Sequence, residues 1–290
     1  MIFLENDSLK VWIKPKGAEL RSLVNKKTGI EHIWDADPVF WGKSSPVLFP
    51  IVGGLKDSSY VYEGKSYTLP RHGFARDNMF EQVSRDKNHA TFKFSSSDET
   101  LKVYPFHFDF YITYQLEGAS LSVLYKVVNI GKEKMLFSLG AHPAFAVPFE
   151  KGEAAYDDYS LAFDEDENLK RWPLSAEGLI KTQPSDLSLE EGKLNLTKEL
   201  FEEDALVFKS LKSESILLKS DKSENYLKFT FKDFPFFGIW AAKNANFVCL
   251  EPWCGIADSV DHNQDLSQKE GINELAAGQS FERSWAVEVG

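Results

Sequence analysis

Phe108-Asp109-Phe110-Tyr111-Ile112-Thr113-Tyr114-Gln115-Leu116, followed closely by Leu121-Ser122-Val123-Leu124-Tyr125-Lys126-Val127-Val128, decides the fold. Apolar and polar residues alternate with a period of two, so each run presents one buried face when extended and no continuous apolar stripe when helical. The same alternation recurs in Leu9 to Ile13, Ala90 to Phe94 and Tyr226 to Phe231. Tyr60 to Leu69 reads as a hairpin turning at Glu63-Gly64, and it delivers the chain directly to Arg71-His72. Further short runs, Ala205 to Lys209, Ser215 to Lys219, Phe236 to Ala241, Asn246 to Leu250 and Ser280 to Val289, bring these to twelve, and the apolar run Met135 to Leu139 takes the total past a dozen strands. Helical pattern is confined to short pieces, Asp265 to Glu270 and Asn273 to Ala277. Long amphipathic helices are missing, which excludes a βαβ architecture. The expected fold is all-β, a large antiparallel β-sandwich with sites built from its connecting loops.

A chain of 290 residues with no repeat, low-complexity tract or boundary reads as a single domain over 1–290. Its least regular part, Glu150 to Asp204, is rich in acids, Pro, Gly and Ser and reads as an excursion rather than a linker. The net charge of -11, from 44 acids against 33 bases, gives a phosphate backbone little to attract, so nucleic acid is not an expected partner. Phe, Trp and Tyr supply 14% of the residues, flat surface for a core and for the apolar faces of sugars. The stretch Met1-Ile2-Phe3-Leu4-Glu5-Asn6-Asp7 has neither the basic nor the apolar region of a signal peptide, and no run approaches the ~20 apolar residues of a membrane span. These readings point to a cytosolic protein with no membrane partner. Cys249 and Cys254 form neither a CxxC pair nor a disulfide framework and read as reduced thiols.

Three segments concentrate chemistry. In Val248-Cys249-Leu250-Glu251-Pro252-Trp253-Cys254-Gly255 an acid follows an apolar run that the proline is expected to stop, placing Glu251 at a strand end, where burial would raise its pKa toward the range of a general base. In Ser138-Leu139-Gly140-Ala141-His142-Pro143-Ala144-Phe145, Gly140 and Pro143 pin the backbone on either side of His142. In Leu69-Pro70-Arg71-His72-Gly73-Phe74-Ala75-Arg76, two cations flank His72 just past the hairpin. Together these make an acid/base set. Trp240, just upstream of the Glu251 strand, offers either a stacking face or a core aromatic. His32, His89, His107 and His262 read as structural, and Gly53-Gly54 as a turn. No metal-ligand spacing, nucleophile elbow or nucleotide loop occurs, so neither a metal nor a cofactor is expected.

His72-Gly73-Phe74-Ala75-Arg76, Gly140-Ala141-His142-Pro143 and Cys249-Leu250-Glu251-Pro252, in that order, resemble the aldose 1-epimerase (galactose mutarotase-like) family, and most closely its LacX-type branch. The resemblance covers nearly the whole chain and implies a β-supersandwich with an open sugar-binding cleft. It implies that Glu251 is the general base at the C1 hydroxyl, that His142 is the general acid at the ring oxygen, and that His72 holds and polarises that oxygen. Asp204, in Phe201-Glu202-Glu203-Asp204-Ala205, matches the acid that binds sugar hydroxyls. One departure matters. Galactose-type members carry an Asn-Arg pair in the segment equivalent to Val52-Gly53-Gly54-Leu55-Lys56-Asp57-Ser58, where this chain has no Arg, leaving Lys56, Arg71 or Arg76 to compensate. The implied activity is interconversion of hexose anomers by a monomer or homodimer. The rivals are a hexose-6-phosphate mutarotase, a sugar-binding regulatory protein without turnover, and, poorly matched by two histidines, a glycoside hydrolase.

Overall fold

The alternation places one face of each strand in the core. In the computed structural model, which describes residues 2–150, 152 and 154–290, the even-numbered residues from Phe108 to Leu116 of the Phe108–Glu117 strand are buried while their odd neighbours are half-exposed. Ser120–Asn129 pairs with it antiparallel, Leu121 opposite Leu116 and Val127 opposite Phe110. These strands belong to a nine-stranded sheet running Lys193–Asn195, Tyr159–Phe163, Ser215–Ser220, Tyr226–Thr230, Ser280–Val289, Ser120–Asn129, Phe108–Glu117, His89–Ser95, Glu81–Arg85. An eight-stranded sheet runs Ser185–Ser188, Asn168–Arg171, Leu206–Lys209, Phe236–Trp240, Phe247–Cys254, Leu139–Ala141, Val47–Leu48, with Ala144–Ala146 also on Phe247–Cys254. Aromatic side chains from the two meet between them: Phe231 on Phe237 at 4.2 Å, Phe145 on Phe229 at 5.7 Å and Phe49 on Phe110 at 4.8 Å between ring centroids. This is the expected antiparallel sandwich, with each fully buried Phe contributing about 1.5–3 kcal/mol relative to exposure. A three-stranded sheet, Ile2–Glu5, Leu9–Lys14, Glu19–Asn25, completes the larger elements. Among the described residues no helix is long and apolar enough to cross a membrane.

Four local expectations are corrected. Asn273–Leu275 is a strand, not a helix, because Asn273 donates through Nδ2 to Phe137 O and Cys254 O and so ties the segment into sheet pairing with Met135–Phe137. Within Asp265 to Glu270 only Leu266–Gln268 turns, as a single 3-10 turn capped by Asp265. The α-helix instead lies at Asp98–Val103, where Ser97 and Thr100 form a reciprocal capping box. Pro252 does not end its strand: Phe247–Cys254 runs through it, with Pro252 opposite Phe237. The opposite edge of that strand explains why. Its neighbour there changes from Ala144–Ala146, paired at 247–249, to Leu139–Ala141, paired at 253–254, so a residue without an N–H falls at a break in the ladder. The irregular region, of which Lys151 and Glu153 lie outside the described residues, contributes edge strands to both sheets, and its turn at 174–180 reaches the cleft described next.

Candidate active site

Glu251 and Trp253, two apart and so on one face of Phe247–Cys254, line a cleft of about 300 Å³. The neighbouring strand makes room for them. Gly238 is in register with Glu251 and Gly140 with Trp253, and a Cβ on either glycine would meet the Trp253 ring, at 2.5 Å and 2.7 Å. The break between Leu139–Ala141 and Ala144–Ala146 releases His142 toward the same spot, and its Nε2 lies 3.3 Å from Glu251 Oε2. The His142 Nδ1 is buried. Both groups are nearly sealed from solvent. Burial pushes the Glu251 carboxyl well above the carboxylate range, against the pull of Arg71, while the charge of Asp204 pushes it further up. Burial also lowers the His142 imidazole to about 3, and the guanidinium groups of Arg76 and Arg71 add to this. Both shifts favour the neutral forms, a protonated carboxyl beside an unprotonated imidazole.

His72 stands beside them, 5.7 Å from His142 between ring centroids. Its backbone N–H donates to Gly53 O at 2.9 Å, and the Gly53 N–H donates back to His72 Nδ1 at 3.1 Å. Burial first, then the nearby His142, Arg76 and Arg71, hold this ring neutral. With Nδ1 accepting, the one ring proton sits on Nε2, so His72 is fixed as a hydrogen-bond donor. Its φ of 68°, unusual for a residue with a side chain, is held by this two-way contact. Gly53 itself, at φ 71°, packs so closely on Ala257 that no side chain fits. Reading Gly53 as a turn alone missed this function.

Arg71, Arg76, Asp204 and Trp240 also line the cleft. Arg71 reaches Asp204 Oδ2 at 3.4 Å, and Arg76 donates to the Arg71 carbonyl at 2.7 Å, so three polar side chains and one carbonyl form a connected rim. Asp204, like His72, is held at positive φ, 75°. Lys56 does not join them: its ammonium donates to His262 O at 3.2 Å and its backbone N–H to Asp258, which turns it away from the cleft. The sequence reading also missed Trp41, which stacks on the His142 ring at 4.9 Å and meets Trp240 edge-on at 5.5 Å. Its signal was available only as an aromatic in the loop Pro38-Val39-Phe40-Trp41-Gly42, which carries no chemistry of its own.

A cleft walled by tryptophans, with a buried carboxyl 3.3 Å from a buried imidazole and a second imidazole fixed as a donor, suits proton transfer at a polyhydroxylated ring. The family model described as Aldose 1-epimerase matches residues 1–270. The chain belongs to the aldose 1-epimerase family. Protein LacX of Lactococcus lactis subsp. lactis, in its plasmid and chromosomal forms, is 35% identical over 99% of both chains. The X-ray structure of a galactose mutarotase related enzyme from Lactobacillus acidophilus is 36% identical, covers 100% of this chain and 97% of its own, and superposes with a TM-score of 0.95. A galactose mutarotase-like protein from Lactobacillus casei ATCC 334 is 31% identical over 100% of both chains, with a TM-score of 0.92. As an aldose 1-epimerase family member the chain is an isomerase, a mutarotase that interconverts the anomers of a sugar.

Proposed function

We propose that the substrate is an unphosphorylated hexose and that Glu251 and His142 open and reclose its ring. The observation that carries this reading is the buried contact of 3.3 Å between them. Moving the shared proton from Glu251 to His142 makes a carboxylate base and an imidazolium acid with no change in net charge, so burial, which penalises either charge alone, opposes the pair far less. The carboxylate then takes the C1 hydroxyl proton while the imidazolium protonates the ring oxygen, which breaks the C1–O5 bond and leaves an aldehyde. Rotation about C1–C2 presents the other carbonyl face, and the reverse transfers close the opposite anomer. His72 Nε2–H supports the ring oxygen, Arg71, Arg76 and Asp204 bind hydroxyl groups, and Trp41 or Trp240 lies against the apolar face of the ring. The domain acts as a whole, over 1–290, without cofactor.

Arg71 and Arg76 both line the cleft, which favours a hexose 6-phosphate as the second reading. Their existing partners weigh against it, since a phosphate would have to displace Asp204 from Arg71. Exchange NMR on the anomeric protons of galactose, glucose and glucose 6-phosphate tests this. Faster exchange of a free hexose, unaffected by added inorganic phosphate, is the expected result. Preference for the phosphorylated sugar with competition by phosphate would replace the reading with the second one, and binding without acceleration would make the protein a sugar sensor.

A further inference from the structure

The proposed mechanism leaves one buried group beside the cleft without a task. Cys249 lies two residues before Glu251 on the same strand, hence on the same face, in register with Trp240 on one side and Ala144 on the other. Its sulfur, a nitrogen of His142 and a Glu251 oxygen all lie within 4.8 Å of one another, and all three residues are buried. Nothing in the spacing of the sequence announces this grouping, because the fold, not a local motif, brings His142 to the other two.

We propose that these three residues form an inhibitory site for a thiophilic divalent metal ion, Zn²⁺ being the natural candidate. An imidazole nitrogen, a carboxylate oxygen and a thiolate sulfur are ordinary zinc donors at about 2.0–2.3 Å, which places the donors of a tetrahedral site roughly 3.3–3.8 Å apart. The present grouping needs to close by only about 1 Å to meet that spacing. A thiolate and a carboxylate beside one imidazole would together carry two negative charges, which a dication neutralises. On binding, the thiol and carboxyl protons leave to solvent, sulfur and oxygen bond to the metal, and a water from the cleft takes the fourth position. Inhibition follows because the two groups that exchange the shared proton are then both ligands. Arg71 and Arg76 flank the approach and slow arrival of a dication, so inhibition develops with preincubation rather than at once.

This inference rests on the same cleft as the proposed mechanism, and its test separates the two. Cd²⁺ titrated into the wild-type protein is expected to give a thiolate-to-metal ultraviolet absorption band, a readout independent of turnover, while Zn²⁺ suppresses anomer exchange and EDTA restores it. Cys249→Ala, outside the proton-transfer pair, is expected to keep basal exchange, to lose the Cd²⁺ band and to need at least ten-fold more Zn²⁺ for the same inhibition. Cys249→Ser serves as the second variant if the alanine form folds poorly. Absence of the Cd²⁺ band in the wild type, or equal Zn²⁺ sensitivity in a folded Cys249 variant, would overturn the metal site and leave the sugar reading untouched. A band in a protein that exchanges no sugar would do the opposite.

Discussion

Gly53 has no side chain to offer chemistry, yet it decides which nitrogen of His72 carries the proton. Its N–H must point at Nδ1, and only a backbone at φ 71° pressed against Ala257 delivers it. Gly53→Ala is therefore expected to destabilise the protein by about 1–3 kcal/mol in urea titration, through strain and overlap together. The surviving folded fraction is expected to show weakened catalysis, since His72 is free to take the other tautomer. An alanine variant as stable and active as wild type would show that Gly53 is only a turn. Glu251 illustrates the other side of residue-scale reading: acid, histidines and arginines were legible as chemistry because their side chains carry it, while Gly53 and Trp41 were not, because their roles exist only in the folded contacts.

At the scale of elements, the cleft depends on an interrupted strand and on an anchored loop. The interruption at His142-Pro143 frees the imidazole, and it also admits Pro252 into a strand that the sequence reading ended there; a proline's missing N–H is disqualifying only where a partner strand waits for it. The loop carrying Gly53 and Lys56 is held from behind by Asp258, which accepts from the Lys56 N–H at 2.9 Å, donates its own N–H to Gly54 O, and is paired with the fully buried Lys269 ammonium at 2.6 Å. Lys269→Met is expected to cost about 3–5 kcal/mol, because it strands the Asp258 carboxylate in the interior. Adding Asp258→Asn should recover part of that loss, and failure of the double variant to improve on the single one in denaturant titration would show that the charge is not the cause. The alternating strands were readable because period two is a local property. The segment Asn273–Leu275 was not, since its strand state comes from Asn273 bonding to residues far away in the chain.

For the molecule as a whole, buried imidazoles link folding to pH. His32 lies 5.0 Å from Phe149 between ring centroids, neither of its nitrogens is hydrogen-bonded, and burial lowers it to about 4. In the unfolded chain it takes up a proton below about pH 6.5, whereas the folded chain refuses it until about pH 4, so its contribution is complete above 6.5 and is lost as pH falls through that window. The loss attributable to His32 approaches about 3 kcal/mol at the acid end. His32→Leu is expected to match or exceed wild-type stability at pH 7 and to flatten the decline between pH 6.5 and 4, what remains being steepened by His72 and His142 and opposed by Glu251, whose raised pKa acts with the opposite sign; an unchanged decline would show that His32 does not contribute to it. The two-sheet sandwich was legible from its strands, and the family from three short motifs, but the joining of those motifs in one cleft is a property of the closed structure. The proposed passage of one proton between Glu251 and His142 to open a sugar ring is tested by saturation-transfer NMR on the anomeric protons of the preferred hexose, with wild type beside Glu251→Gln and His142→Asn. Accelerated exchange is expected in the wild type, with a fall of roughly 10²- to 10⁴-fold in each folded variant; acceleration that survives either substitution would rule out proton passage between Glu251 and His142.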